Sequence, residues 1–160
     1  MLKIRPFEWS DAEALYERNA EPEVANVLVT APPDTLEGTI NYFSERLDHK
    51  DIILVAELDG KVVGSAEVRM RRGKEAHVGS IGLAIKSEFW GRGVGTKLVK
   101  EAVKLAKKKK LEKLVYNVSS HNKRSINLAK DAGFRLGARL KKNIKTGTKY
   151  YDMLLFEKFL

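Results

Sequence analysis

Between the apolar run ending in Leu83-Ala84-Ile85 and a long amphipathic stretch lies the segment Phe89-Trp90-Gly91-Arg92-Gly93-Val94-Gly95-Thr96. A turn this rich in glycine joins a strand to a helix start, since glycine lets the backbone bend tightly and approach a ligand with no Cβ in the way. The first N–H groups of a helix lack internal partners and carry partial positive charge, so the segment is a place for a phosphate. Two phosphate motifs fail to match. A P-loop needs Gly-Lys followed by Ser or Thr, whereas the order here is Gly95-Thr96-Lys97; a dinucleotide fingerprint needs G-x-G-x-x-G within a Rossmann repeat, whereas Gly91, Gly93 and Gly95 alternate. Alone, the turn leaves a nucleoside triphosphate, a dinucleotide and an empty loop open.

The rest of the chain reads as one α+β domain over residues 1–160. Leu2 to Arg5 is a short strand, and Ser10-Asp11-Ala12-Glu13 has capping-box spacing for a helix running to about Asn19. Pro22, Pro32 and Pro33 break the chain. Asp34 with Glu37 offers a second helix start, whose apolar face is Leu36, Ile40, Phe43 and Leu47. Ile52 to Leu58 and Val62 to Met70 form a hairpin about Asp59-Gly60. After the turn Arg71-Arg72-Gly73-Lys74, Ala76 to Ile85 is the next strand. Val94, Leu98, Ala102, Leu105 and Ala106 recur at helical spacing from Gly93 to about Lys109. Leu114 to Val118 is a strand, Asn122 or its neighbours open a helix ending at Gly133, and Phe134 to Leu140 and Tyr150 to Phe156 are the last strands. These elements predict a mixed, mostly antiparallel sheet of about seven strands flanked by about four helices.

No apolar stretch approaches 18 residues and the start has no signal-peptide apolar region, so an intracellular, cytoplasmic protein with no membrane partner is expected. The absence of cysteine removes disulfides, thiolate metal sites and a catalytic thiol together. A net charge of +9 suits anionic partners. Much of it lies on one helix, as Lys97, Lys100, Lys104 and Lys107 to Lys110, where a solvated face is the simpler reading. Aromatic residues are not interleaved with those lysines, which disfavours nucleic-acid stacking.

The glycine turn with its preceding strand, followed about thirty residues later by Asn122-Lys123-Arg124-Ser125 and then Ala132-Gly133-Phe134, resembles the GNAT N-acetyltransferase superfamily. In that family a strand, a Q/R-x-x-G-x-G/A turn and a helix bind acetyl-CoA, and an Asn-x-x-(Ala/Ser) helix ending in Gly-Phe follows. Trp90 stands where Gln or Arg is usual, and Gly93 and Gly95 match. Trp-Gly-Arg-Gly-x-Gly, with Ala76-His77-Val78 and Gly147-Thr148-Lys149-Tyr150-Tyr151-Asp152, resembles the branch of ribosomal-protein N-terminal acetyltransferases. The element order matches over nearly the whole chain.

The resemblance implies a GNAT fold and acetyl transfer from acetyl-CoA to a primary amine by direct attack, with no covalent intermediate and no metal. It places the pyrophosphate on the N–H groups of Arg92 to Thr96, with Trp90, Gly91, Gly93, Val94 and Gly95 in the same cradle and charge added by Arg92. The backbone of Leu83, Ala84 and Ile85 would pair with pantetheine, and a bulge in that strand would leave an N–H for the thioester oxyanion. Asn122 would reach the pantetheine or serve as a helix N-cap. The segment from Glu21 to Leu47 would wall the acceptor cleft, where Tyr150, Tyr151 and Asp152 are further candidates.

Acetyl transfer needs a neutral amine. A lysine amine is only about 0.04% neutral at pH 7, whereas an α-amine is roughly 10% neutral, so the demand for a base depends on the acceptor. Many GNAT enzymes place a Glu four residues before the pantetheine strand; that position is Gly79. His77, on the same face of a regular strand as Gly79 and with an ordinary pKa near 6.5, is the first candidate base, with Glu67 and Glu75 next and a water chain as a further option. Many relatives use a Tyr four residues before the helix-terminal Gly as general acid; that position is Ala129, so Ser125 is the candidate donor to the sulfur. The acceptor is a protein N-terminus or a small-molecule amine, with a homodimer open as an assembly. The competing readings are a CoA-binding regulatory domain, favoured by the missing Glu and Tyr, and a basic nucleic-acid-binding protein.

Overall fold

A computed structural model describes residues 1–160. Strand β1 (Leu2–Pro6) leads into helices α1 (Ala12–Ala20), α2 (Pro22–Ala25) and α3 (Leu36–Asp48). Strands β2 (Ile52–Leu58), β3 (Lys61–Met70) and β4 (Val78–Ile85) precede helix α4 (Val94–Lys108), and β5 (Lys113–Ser119), α5 (Lys123–Asp131), β6 (Arg135–Thr146) and β7 (Lys149–Phe159) complete the chain. One seven-stranded sheet has the order β1-β2-β3-β4-β5-β7-β6, parallel between β4 and β5 and antiparallel elsewhere.

Helix and strand boundaries follow local chemistry. Asp59 and Gly60 both have positive φ, 49° and 79°, the backbone of a two-residue hairpin turn whose twist suits the flanking strands. Helix α1 is not capped by Ser10: a 3-10 turn at Trp9–Asp11 precedes it, and the Asp11 carboxylate accepts from the Glu8 N–H at 2.8 Å. Helix α3 begins one residue later than Asp34 suggests, because the Thr35 hydroxyl accepts from Gly38 N at 2.9 Å. Pro22 starts the single turn of α2, its fixed φ being compatible with a first helical position. Strand β6 runs past Leu140 to Thr146 through register shifts against β7.

The sheet has two packed faces. On one, Leu54, Ala66, Val68, Ile81, Leu114, Tyr116 and Phe156 meet Leu98, Ala102 and Ala106 of α4 and Ala129 of α5. On the other, Ile53 and Val55 meet Leu15 of α1 and Phe43 of α3. The stripe of α4 lysines faces solvent. No helix is long and apolar enough to cross a membrane.

Strand pairing between β4 and β5 stops early. It runs from Val78↔Lys113 only to Ile81↔Tyr116, yet β4 continues to Ile85 and β5 to Ser119. Beyond Ile81 the two strands part, while β4 keeps an unbroken register with β3 from Met70↔Gly79 to Gly64↔Ile85. The expected bulge in β4 is therefore absent, and the fork comes from the lost β4–β5 pairing.

Helix α1 is fixed to the sheet by charge. Arg5 Nη1 and Nη2 each donate to Asp11 at 2.8 Å, and Arg5 Nε donates to Glu57 at 2.8 Å. Burial works to raise the Asp11 pKa, but the Arg5 guanidinium and the Glu8 N–H outweigh it and hold the carboxyl below the usual range. A lowered folded-state pKa gives stability that is complete above the unfolded value near 3.9 and is lost as pH falls through the folded value. Asp11→Asn should thus lower stability by about 3 kcal/mol at neutral pH, with the gap to wild type closing in acid, as read by thermal melts across pH.

Candidate active site

The glycine turn places a helix N-terminus at the end of β4. Gly91 and Gly93 have φ of 74° and 79°, and Gly93 is the N-cap of α4 with no side-chain cap bond, so the first N–H groups of the helix face outward. A Cβ at Gly91 or Gly93 would meet nothing within 4 Å, so backbone conformation and an open approach require glycine there. Gly95 is glycine for a different reason: a Cβ would sit 3.0 Å from Leu128 Cδ2 and 3.3 Å from Ile85 Cδ1. Trp90 Nε1 donates to the Ile85 carbonyl at 2.9 Å, tying the turn to the end of β4, and the Arg124 guanidinium covers the Trp90 ring at 4.5 Å.

A cavity of about 960 Å³ runs from this turn into the fork and on to α1 and α3. At the turn it is lined by Trp90, Gly91, Gly93, Val94, Gly95 and Thr96, and along the fork by Leu83, Ala84, Ile85, Asn122 and Ser125. Asn122 is the N-cap of α5, its Oδ1 accepting from Ser125 N at 3.2 Å. Arg92 is exposed beside the Phe89 ring and does not line the cavity. The parted edge of β4 and the open helix N-terminus fit an extended amide chain ending in a pyrophosphate.

The far end of the cavity is polar and charged. Glu67 of β3 accepts from the Tyr42 hydroxyl at 2.6 Å, and Tyr42 accepts from Arg69 Nη2 at 2.6 Å. Burial pushes the Glu67 carboxyl above its ordinary range, opposed by the Tyr42 hydroxyl and by the charges of Arg69, Arg18 and Arg46. Burial, Glu67 and its hydrogen bond also hold Tyr42 neutral, well above a free phenol. Arg18, only 4% exposed, donates to Ser65 Oγ at 2.5 Å and to the Ala84 carbonyl at 3.1 Å, and desolvation lowers it to about 10. Asn117 of β5 lines the same cavity with its Oδ1 buried and unpartnered.

Several expectations are corrected here. His77 is not on a strand: it lies exposed in the turn before β4, outside the cavity, and its backbone carbonyl accepts from Glu112 and Lys113. Glu75 is exposed in the preceding 3-10 turn, bonded to Arg71. Gly79 has no room for a side chain, since a Cβ would lie 2.7 Å from Val68 Cγ1 and 2.8 Å from Leu111 Cδ1. Tyr150, Tyr151 and Asp152 do not line the cavity; Tyr151 stacks on His121, and Asp152 accepts from Arg139 and from Lys142 N.

Arg18, Tyr42, Arg69, Tyr116 and Asn117 were missed in the sequence. Arg18 does carry a signal, standing three residues after Leu15 on the buried stripe of α1, where an unpaired charge is costly. Tyr42 and Asn117 carry none, because their place depends on which strands part.

The family model for the acetyltransferase (GNAT) domain matches residues 1–135. The L-amino acid N-acetyltransferase AaaT of Escherichia coli (strain K12) is 29% identical over 156 residues, 94% of this chain and 93% of that protein. The ribosomal-protein-alanine N-acetyltransferase structure from Brucella melitensis has a TM-score of 0.88 at 27% identity, covering 99% of each chain. A phosphinothricin acetyltransferase from Sinorhizobium meliloti, solved with AcCoA, has a TM-score of 0.90 at 21% identity over 99% of this chain and 88% of that one. The chain belongs to the GNAT acetyltransferase family. It is an N-acetyltransferase that moves an acetyl group from acetyl-CoA to an amine, rather than a regulatory CoA binder or a nucleic-acid-binding protein.

The two kinds of glycine give separable expectations for donor binding. Gly93→Ala introduces left-handed strain of about 1–2 kcal/mol, and Gly95→Val drives α4 away from Leu128 and Ile85. Each should weaken acetyl-CoA binding roughly tenfold or more by isothermal titration, given about 1.4 kcal/mol per decade; unchanged affinity would remove the turn from the donor site.

Proposed function

We propose that this enzyme acetylates the amine of an amino-acid-like acceptor, one whose primary amine stands next to a carboxylate, with Glu67 as general base. The observation that carries the reading is the chain Glu67–Tyr42–Arg69, in which one neutral hydroxyl joins an anion and a cation at 2.6 Å on each side. A zwitterion is the complement of that pair: its ammonium meets Glu67 and its carboxylate meets Arg69. The Arg69 hydrogen bond goes to Tyr42 and to no carboxylate, leaving the guanidinium free for a ligand anion. Polyamines and lysine side chains would bring only positive charge to a wall holding Arg18 and Arg69. The L-amino acid acetyltransferase among its relatives supports the same class.

Glu67 is suited to the base by place and by pKa. It is the cross-strand partner of Gly82, the first β4 residue beyond the fork, so it stands beside the opening where donor and amine meet. Its raised pKa brings it closer to neutrality, where a base is most effective. Glu67 takes the ammonium proton, directly or through one water, and the freed lone pair attacks the thioester carbonyl. The N–C bond forms, the nitrogen sheds its second proton to water, the C–S bond breaks, and the electron pair leaves on sulfur. Asn117 Oδ1, buried and without a partner in the same cavity, accepts from the amine N–H in this reading. Leu83, Ala84, Ile85, Trp90, Gly91, Gly93, Val94, Gly95, Thr96 and Asn122 form the donor arm of the cavity in this reading.

Glu67→Gln should cut kcat by about 10²- to 10⁴-fold with folding intact. Tyr42→Phe removes a hydrogen bond that lowers the Glu67 pKa, so the acid limb of kcat/KM should move to higher pH. A limb that stays in place would show that another group sets it. Acceptor class is tested by comparing L-amino acids with their carboxamides. Arg69→Ala should raise KM for the acid roughly 10- to 100-fold and leave the carboxamide nearly unaffected; equal effects on both would contradict carboxylate recognition.

A further inference from the structure

Tyr116 is the one phenol at the fork. It is the last β5 residue paired to β4, is only 3% exposed, lines the cavity, and packs edge-on against Phe134 with ring centroids 6.0 Å apart. Side chains alternate along strands, so Ile81 and Tyr116 project to the face of α4 and α5, whereas Glu67, the cross-strand partner of Gly82, projects to the face of α1 and α3. The fork thus separates a base on one face from a hydroxyl on the other. Ser125, at the start of α5, interacts with the Tyr116 phenol, and the same cluster holds the small, buried Ala129.

We propose that Tyr116 donates its phenolic hydrogen to the thioester sulfur as the C–S bond breaks, holding the leaving thiolate without giving up the proton. The inference rests on acetyl-CoA lying in the fork. Attack by an amine deprotonated on the Glu67 face pushes the electron pair onto sulfur on the opposite face, where Tyr116 is the polar side chain from the strand. Burial is the main cause that pushes this phenol up to about 12, against a smaller lowering by Ser125. A thiol ionises near 8.5, so a phenol that weakly acidic keeps its hydrogen and acts as a hydrogen-bond donor rather than a proton source. The first ammonium proton leaves through Glu67, the second leaves the nitrogen to water once the N–C bond has formed, and the thiolate takes one proton back from water after leaving the fork, so the exchange balances with a net release of one proton. Ser125, beside the phenol oxygen, is a positioning residue in this proposal, and the phenolic hydrogen is the one offered to the cavity.

The test is titration of CoA bound to wild type and to Tyr116→Phe, followed by thiolate ultraviolet absorbance. The Phe ring keeps the packing on Phe134, and an unchanged melting temperature verifies that the variant folds. Wild type should ionise bound CoA about one to two pH units below the free thiol value, and the variant should return it toward that value, since a hydrogen bond to a charged group favours the ionised form. Wild type should also prefer CoA over desulfo-CoA at alkaline pH, a preference lost in the variant. The kcat of Tyr116→Phe should fall roughly 10- to 100-fold with little change in KM for acetyl-CoA. If CoA binds and its thiol titrates alike in both proteins, the role of Tyr116 is overturned and the donor site stands. If CoA does not bind wild type, the fork is not the donor site and this proposal falls with it.

Discussion

The site depends on where one line of backbone hydrogen bonds ends. Strands β4 and β5 pair for four residues and then part at Ile81 and Tyr116, leaving the β4 edge from Gly82 to Ile85 without its neighbour. An unpaired strand edge offers free backbone N–H and C=O groups and invites complementary donors and acceptors. An extended amide-bearing chain supplies them in the manner of an added strand. The parallel pairing matters too, because β4 and β5 must be joined by a crossover, and that crossover is α4. The helix N-terminus therefore falls at the open end of the fork, next to the glycine turn.

Parting the strands also opens the sheet from face to face. On one side α1 and α3 carry Arg18 and Tyr42 to the β3 carboxylate Glu67; on the other α5 carries Ser125 to Tyr116. In the proposed mechanism, proton removal and departure of sulfur are held apart by the thickness of one sheet. Arg18 ties α1 to β3 and β4, since its guanidinium bonds both Ser65 and the Ala84 carbonyl. A second link joins the acceptor wall to the donor loop, where Glu21 accepts from Ser87 N and Oγ, each at 2.9 Å.

Local chemistry made the donor half legible. Gly91, Gly93 and Gly95 announced a strand-to-helix turn, the alternation of β2 and β3 announced a hairpin, and Asn122 announced a helix start, because each is fixed by neighbours in sequence. The acceptor half was less so. His77 sits one residue outside the strand that was expected to include it, which moves it from a presumed inward face to an exposed turn. Glu67 could be named, but its partners Tyr42 and Arg69 are brought to it by helix packing and by the parting of strands, which no spacing in the sequence encodes. The bulge expected in β4 failed for a similar reason: loss of pairing with β5 opens the gap without any irregularity in β4 itself.

Hydrogen–deuterium exchange with and without acetyl-CoA tests the fork most directly. The account predicts new protection confined to the β4 amides of Leu83 and Ile85, which face away from β3, and to the first turn of α4 from Gly93 to Thr96, with the paired segment Val78–Ile81 unchanged. Saturating acetyl-CoA that left these amides exchanging as before, while protecting another surface, would contradict it.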